Sequence, residues 1–168
     1  MKSTARITGH PIHPMLIPYP FALLTSATAF AIGARQSGRY ELATTARHLS
    51  AAGLASALVA AAPGIVDYFG TVPKAGPSAR QTARRHALIN LSALACYATA
   101  YLTGHDRGRP SAANIALQIV GTGLLGVGGW LGGHLVYHHE IGVEPRVEVQ
   151  PSLWGEDEER PRVRASGV

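Results

Sequence analysis

The feature that most constrains this chain is the clustering of its uncharged residues. Four runs contain no Asp, Glu, Lys, Arg or His; they cover residues 15–34, 49–66, 87–104 and 111–133 and are 20, 18, 18 and 23 residues long. A helix needs roughly 20 apolar residues to cross the hydrocarbon core of a bilayer. A water-soluble bundle would instead need a polar stripe on each helix, and these runs lack one. The sequence therefore predicts four transmembrane helices.

The predicted fold is all-α: an integral membrane four-helix bundle with an extended N-terminal segment and a disordered C-terminal tail. The alternative for the first run is a cleaved signal peptide, because Lys2 and Arg6 precede it and residues 27–29 read Ala-Thr-Ala. Prolines within the run, and its continuation to residue 34, favour a retained span. The expected domains are the segment 1–14, a transmembrane domain 15–139 with spans at about 15–34, 49–69, 86–104 and 111–136, and a polar tail 140–168.

The charge distribution excludes nucleic-acid binding and gives a weak orientation. The net charge is +5, but residues from 140 onward carry −3 and the earlier basic residues lie in short segments between apolar runs, whereas nucleic-acid binding needs a continuous basic face. Four spans place both termini on one side, which has seven membrane-proximal Lys and Arg against five on the other. By the positive-inside rule the termini are cytoplasmic. The single cysteine, Cys96, excludes an intrachain disulfide and a cysteine-ligated cluster.

Six of the eight histidines fall on the membrane face that carries the termini. His48 and His105 lie on the other face. Each histidine alone is compatible with an ordinary interfacial imidazole, but polar groups near membrane depth are costly and usually pair or bind something. The terminal-face set comprises His10, His13, His86, His134, His138 and His139, joined there by Asp67 and Asn90.

Two local patterns sharpen this set. In residues 9–14, Gly-His-Pro-Ile-His-Pro, each histidine precedes a proline and is expected in polyproline II, with the imidazoles about 9 Å apart on one side. The alternative is a rigid lead-in to the first span. Asp67 and His86 flank an expected loop over residues 70–85, and Pro63 predicts a kink that turns Asp67 inward. A carboxylate on one imidazole nitrogen leaves the other free for a metal or a proton, and the alternative is a plain interfacial Asp.

The fourth run is rich in glycine. Gly128 and Gly132, like Gly129 and Gly133, are four residues apart, which lets another helix approach closely. The partner helix belongs to the same bundle or to a second copy in a homo-oligomer.

Together these motifs carry a resemblance. Residues 9–14, Pro-Gly-Ile-Val-Asp at 63–67, Arg-His-Ala-Leu-Ile-Asn at 85–90 and Gly-Trp-Leu-Gly-Gly-His-Leu-Val-Tyr at 129–137 are similar to the bacterial membrane family catalogued as domain of unknown function 2231. The resemblance covers about residues 8–143 and departs from the family pattern at Glu140, where the last motif has Gly. It implies a multi-pass fold and a location in the bacterial inner membrane, without implying an activity.

Three function classes remain. The first is a redox membrane protein in which His86 and His134 ligate haem b and Arg84 and Arg85 hold its propionates. The second is a zinc, copper or iron site built from His10, His13, Asp67, His86 and His134. The third is a non-catalytic structural or interaction subunit of a membrane complex, with histidines that only lie at the two membrane interfaces. We name the histidine site, with electron transfer to a membrane redox partner, as the lead interpretation; no hydrolase or transferase motif is present.

Overall fold

A computed structural model describes residues 1–104 and 109–143 of the chain. Within these residues the protein is almost entirely helical, with four long helices and a short hairpin at the N-terminus. In chain order the elements are β1 (Arg6–Ile7), β2 (His10–Pro11), α1 (Ile12–Leu16), α2 (Pro18–Ser37), α3 (Tyr40–Gly70), a 3-10 turn (Val72–Lys74), α4 (Pro77–Thr103) and α5 (Ala112–Tyr137). Most of the predicted tail lies outside the described residues.

The four long helices form two antiparallel hairpins. α2 packs along α3, α4 packs along α5, and the hairpins meet where α2 contacts α5 and α3 contacts α4. We call the end that holds the N-terminal hairpin, the α3–α4 connection and the end of α5 the terminal end. We call the opposite end, which holds the α2–α3 and α4–α5 connections, the distal end.

The helices begin and end at residues suited to those positions. Pro18 and Pro77 occupy the first turns of α2 and α4, where a missing N–H costs nothing. α2 ends at Gly38, which has φ of 72° and donates its N–H to the Ala34 carbonyl. The Ser111 side chain caps α5 by accepting from the Asn114 N–H at 3.1 Å.

Three segments are long and apolar enough to cross a membrane by length and composition: Ile12–Ser37, Tyr40–Lys74 and Ala112–Tyr137. Among the described residues, α4 does not reach the same hydropathy over a membrane-spanning length. The first half of α4 contains Arg80, Arg84, Arg85, His86 and Asn90, which lower its mean hydropathy.

The interior is built from small residues and one polar network. Small side chains let helix backbones approach closely, as is usual where no water drives association. At the centre the fully buried Tyr97 hydroxyl lies 2.8 Å from the Thr28 hydroxyl and 2.7 Å from that of Thr122, and it donates to the Leu24 carbonyl at 3.0 Å. The buried alanines include Ala27, Ala31, Ala34, Ala46, Ala60, Ala93 and Ala100.

The N-terminal segment is partly extended and partly helical. β1 and β2 pair antiparallel across a turn in which Thr8 and Gly9 both have positive φ, as a two-residue hairpin turn of type I′ requires. The prediction of polyproline II at His13 is wrong, because α1 begins at Ile12. Pro14 lies in the first turn of that helix, where its missing N–H has no intrahelical partner to lose.

The α3–α4 connection is shorter than predicted. α3 continues to Gly70 and α4 begins at Pro77, so the expected loop over residues 70–85 is mostly helix. The uncharged runs mark only the apolar part of each helix, and the amphiphilic ends extend past them. α3 also starts at Tyr40, well before its uncharged run.

Candidate functional site

Three histidines converge at the terminal end of α5. His134 lies in the last turn of the helix, His138 is its C-cap residue, and His139 follows. One ligand nitrogen from each lies within 4.8 Å of the other two. The His134 and His138 rings stack with centroids 4.5 Å apart, and the Trp130 ring stacks on the other side of His134 at 5.6 Å. We call His134, His138 and His139 the histidine triad.

The helix ending fixes the positions of the triad. Trp130, His134 and His138 are four residues apart and therefore share one face of α5. Beyond them the Ile141 N–H donates to the Leu135 carbonyl at 2.9 Å, with Glu140 in the left-handed region at φ of 52°. This is the reversal with which many helices end, and it usually uses glycine.

The N-terminus of the chain also braces this ending. The Met1 ammonium donates to the Glu140 carbonyl, and the Gly142 N–H donates to the Met1 carbonyl at 2.7 Å. The turn that holds His139 is therefore tied to another part of the chain.

His139 also contacts α4, and its pKa is lowered. Its Nε2 lies 3.4 Å from the Thr82 hydroxyl of α4. Partial burial, followed by the neighbouring His138 and His134, lowers the pKa of His139 below its ordinary value. A lowered pKa keeps the imidazole in its neutral form, which is the form that ligates metal.

A second histidine pair lies between helices. His13 of α1 and His86 of α4 have ring centroids 6.2 Å apart in an edge-to-face arrangement. The His13 Nδ1 is 2.7 Å from the Ala60 carbonyl of α3, and the His86 Nδ1 is 2.9 Å from the Gly128 carbonyl of α5. A carbonyl oxygen only accepts, so Nδ1 is the donor in both rings. In the neutral rings each Nε2 then keeps its lone pair, the state that metal-ligating histidines have when their other nitrogen bonds a carbonyl.

Asp67 faces the N-terminal segment. Its carboxylate accepts from the Ser3 hydroxyl at 2.7 and 2.8 Å and from the backbone N–H groups of Thr4 and Ala5 at 2.7 and 3.1 Å. The Thr71 hydroxyl adds a bond at 3.0 Å. Within the described residues, no hydrogen bond joins Asp67 to His86.

The structure does not bring His86 and His134 to one point. A Cβ built on Gly132 would lie 3.1 Å from Cε1 of His86, so this face of α5 looks toward His86. His134 is two residues further along, about 200° around the helix axis. His86 therefore packs against one face of α5, and His134 projects from a different face of the same helix.

The other predicted site residues are scattered. Arg84 and Arg85 are exposed on α4, and His10 is exposed in β2. His48 is exposed at the distal end, as expected, and His105 lies outside the described residues.

The predicted metal set omitted His138 and His139. The available signal was the spacing of His134 and His138, which places two imidazoles on one helix face, as in helical zinc motifs. His139 has no comparable signal, because its approach depends on the left-handed turn at Glu140.

The chain matches a known family of membrane proteins. A family model described as "Predicted membrane protein (DUF2231)" matches residues 9–145, about four fifths of the chain. No curated protein and no solved structure matches the chain.

Proposed function

We propose that this chain, which belongs to the DUF2231 family of predicted membrane proteins, binds a transition-metal ion at its terminal end through the histidine triad. The observation that carries this proposal is the convergence of one nitrogen from each of three imidazoles within 4.8 Å. Imidazole suits zinc and copper, and three protein ligands leave a coordination position for water or another ligand.

The His13–His86 pair is a second candidate for the metal site. It is supported by the hydrogen bonds from both Nδ1 atoms to backbone carbonyls, because these bonds leave the two Nε2 lone pairs on neighbouring rings available. It offers two ligands where the triad offers three. Haem b on His86 and His134 has less support, because His86 packs against one face of α5 and His134 projects from a different face of that helix.

Metal titration of the detergent-purified protein tests the proposal. Trp130 stacks on His134, so Cu²⁺ bound at the triad should quench its fluorescence. The chain has two tryptophans, and a Trp154→Phe background leaves Trp130 as the only reporter. We expect one equivalent of Cu²⁺ to bind, with Zn²⁺ competing for the same site.

Variants locate the ion. His134→Ala and His138→Ala should each weaken binding by at least about tenfold, since each removes a ligand. His48→Ala, an exposed histidine at the distal end, is the control and should bind normally. Loss of binding only in His13→Ala and His86→Ala would move the site to the second candidate. A haem absorption band in the purified protein would favour electron transfer, and the absence of both metal and haem would favour a structural or interaction subunit.

We also propose that all four long helices cross the bilayer. α4 is 27 residues long and runs beside α5, and its Leu88, Leu91 and Leu102 are 54, 65 and 68% exposed, as lipid-facing residues would be. The proposed transmembrane domain covers residues 15–139. Its location would be the bacterial inner membrane, with the terminal end in the cytoplasm on the positive-inside argument. Binding of a redox partner and formation of a homo-oligomer stay predictions.

A further inference from the structure

The distal end contains a cavity that the triad proposal does not use. It has a volume of about 260 Å³ and lies among the first turns of α3, the last turn of α4 and the first turns of α5. At about 30 Å³ for each water molecule, this volume equals roughly nine waters. The cavity therefore has room for a small polar group. Its polar lining includes Thr44, Arg47, Ser50, Asn114 and Gln118.

One residue that lines the cavity has a hydrogen-bond acceptor without a donor. Gln118 is 5% exposed, and its Oε1 is a buried side-chain atom without a hydrogen-bond partner among the described residues. The orientation of the Gln118 side-chain amide follows from two successive hydrogen bonds. The Asn114 Nδ2 donates to the Ala100 carbonyl, so the Asn114 Oδ1 is the atom that accepts from the Gln118 Nε2 at 2.7 Å. A buried acceptor left unpaired is costly, which favours a ligand that donates to it.

The same cavity contains one cation. Arg47 is the only charged side chain among the described residues that line it. Its guanidinium lies 4.5 Å from the centre of the Tyr101 ring, and its Nη1 is 3.4 Å from the Tyr101 carbonyl. Within the described residues the structure gives Arg47 no carboxylate partner. The stacked guanidinium keeps donors for an anionic group.

We propose that this cavity binds a phosphate ester that carries a hydroxyl group, of the glycerol phosphate type. Arg47 pairs with the phosphate, and the hydroxyl donates to the Gln118 Oε1. A ligand with an ammonium donor fits less well, because no described lining residue is acidic and the ammonium would lie unpaired beside Arg47. Glycerol phosphate has about ten non-hydrogen atoms, which suits a cavity of this size.

This ligand chemistry has two sources. The distal end lies where a helix bundle meets the surface of the bilayer, so a glycerol phosphate group can belong to a lipid head group or to a free molecule in solution. Both sources present the same two groups to Arg47 and Gln118. The experiment therefore includes one probe for each source.

Calorimetric titration of the detergent-purified protein with three probes tests the proposal. The probes are sn-glycerol 3-phosphate, dihexanoyl phosphatidylglycerol and dihexanoyl phosphatidylcholine, whose choline group has no hydrogen-bond donor. We expect phosphatidylglycerol to bind about tenfold more tightly than phosphatidylcholine, because only its head group pairs with the Gln118 Oε1. Binding of the free ester alone would assign the ligand to solution, and binding of the lipid alone would assign it to the membrane. Equal affinity for the two lipids, or no binding of any probe, would overturn the proposal.

Three variants test the roles of the two side chains. Arg47→Gln should weaken binding of the preferred probe by at least about tenfold. The control is Arg39→Gln, which removes a charge from the same end of the bundle at an exposed residue paired with Glu41. Gln118→Met should abolish the preference for the glycerol head group while Arg47 still holds phosphate. If Arg47→Gln does not fold, Arg47→Lys retains the charge but loses the planar fork, and it should still bind more weakly. Unchanged binding in the folded Arg47 variant would also overturn the proposal.

Discussion

Asp67 connects the N-terminal segment to the bundle. One carboxylate holds the Ser3 hydroxyl and two consecutive backbone N–H groups. We expect Asp67→Asn to lower the free energy of unfolding by about 2 kcal/mol, because the amide loses the charge and turns an N–H donor toward other donors. Thermal unfolding in detergent measures this loss, and faster proteolysis near residue 5 should accompany it. Glu41→Gln is the control, since that carboxylate is exposed and in a surface ion pair. Equal losses in both variants would contradict the anchoring role.

Glu140 has a backbone conformation that favours glycine. Its φ of 52° lies in the left-handed region, at the turn that ends α5. Glu140→Gly should therefore raise the free energy of unfolding by roughly 1 kcal/mol. The hydrogen bond that the Met1 ammonium donates to Glu140 is accepted by the backbone carbonyl and does not need the carboxylate. Chemical unfolding compares the variant with the parent protein, and a loss of stability would show that the Glu140 side chain has contacts that outweigh the strain.

Protonation of His139 should compete with metal at the triad. Its pKa is lowered by burial and by two neighbouring histidines, so its neutral form persists below the ordinary value of about 6.5. The contribution of His139 to metal affinity should hold at neutral pH and decline as the pH falls through this lowered pKa. Trp130 quenching by Cu²⁺ between about pH 8 and pH 5 measures the decline. An affinity that already declines above pH 7 would point to a ligand other than imidazole.

At the scale of helices, the glycines of α5 differ in whether the face they lie on packs against another helix. A Cβ on Gly128 would lie 2.6 Å from the side-chain amide of Asn90, whereas a Cβ on Gly129 would meet nothing within 4 Å. Gly128→Ala should therefore lower the free energy of unfolding by about 1 to 3 kcal/mol, because Asn90 must move and weaken its bond to the His86 carbonyl. Gly129→Ala, one residue away, is the matched control and should not lower stability, because its Cβ meets no neighbour and Ala favours the helix over Gly. Thermal unfolding in detergent distinguishes the two, and similar results for both would show that α4 adapts to the added methyl.

The sequence predicts where the helices lie along the chain, but it does not predict how each helix is rotated about its own axis. Uncharged runs of membrane length predict where helices lie, and the four long helices follow them. Contacts such as His13 with His86 depend on which face each helix turns inward. In runs that are apolar on all sides no periodic polar stripe sets that rotation. The sequence therefore predicts that His86 and His134 lie at one end of the bundle, but it carries no signal for whether the two side chains face each other. The approach of Ser3 to Asp67 had no sequence signal, because it spans 64 positions of the chain.

At the scale of the whole molecule, the two proposed sites lie at opposite ends of the bundle. The triad closes α5 at the terminal end, and the Arg47–Gln118 cavity opens among helix ends at the distal end. Between them lie the Tyr97 hydrogen-bond network and the small core residues. If all four helices cross, a metal at one site and a phosphate ester at the other face different compartments. The number of crossings therefore decides whether the two sites serve one compartment or two.

The crossing of α4 is the step that needs direct measurement. Cys96 is the only cysteine, so a Cys96→Ala background allows single cysteines at Gly38, Gly76 and Pro110 to be probed in intact cells with a membrane-impermeant thiol reagent. Four crossings place Gly38 and Pro110 on one side and Gly76 on the other, because α3 and α4 each separate them once. We expect the reagent to label Gly38 and Pro110 from outside and to reach Gly76 only after the cells are opened, as a cytoplasmic terminal end requires. Labelling of Gly76 alone would reverse the orientation and keep the four crossings. Labelling of Gly76 and Pro110 from the same side would show that α4 does not cross the bilayer.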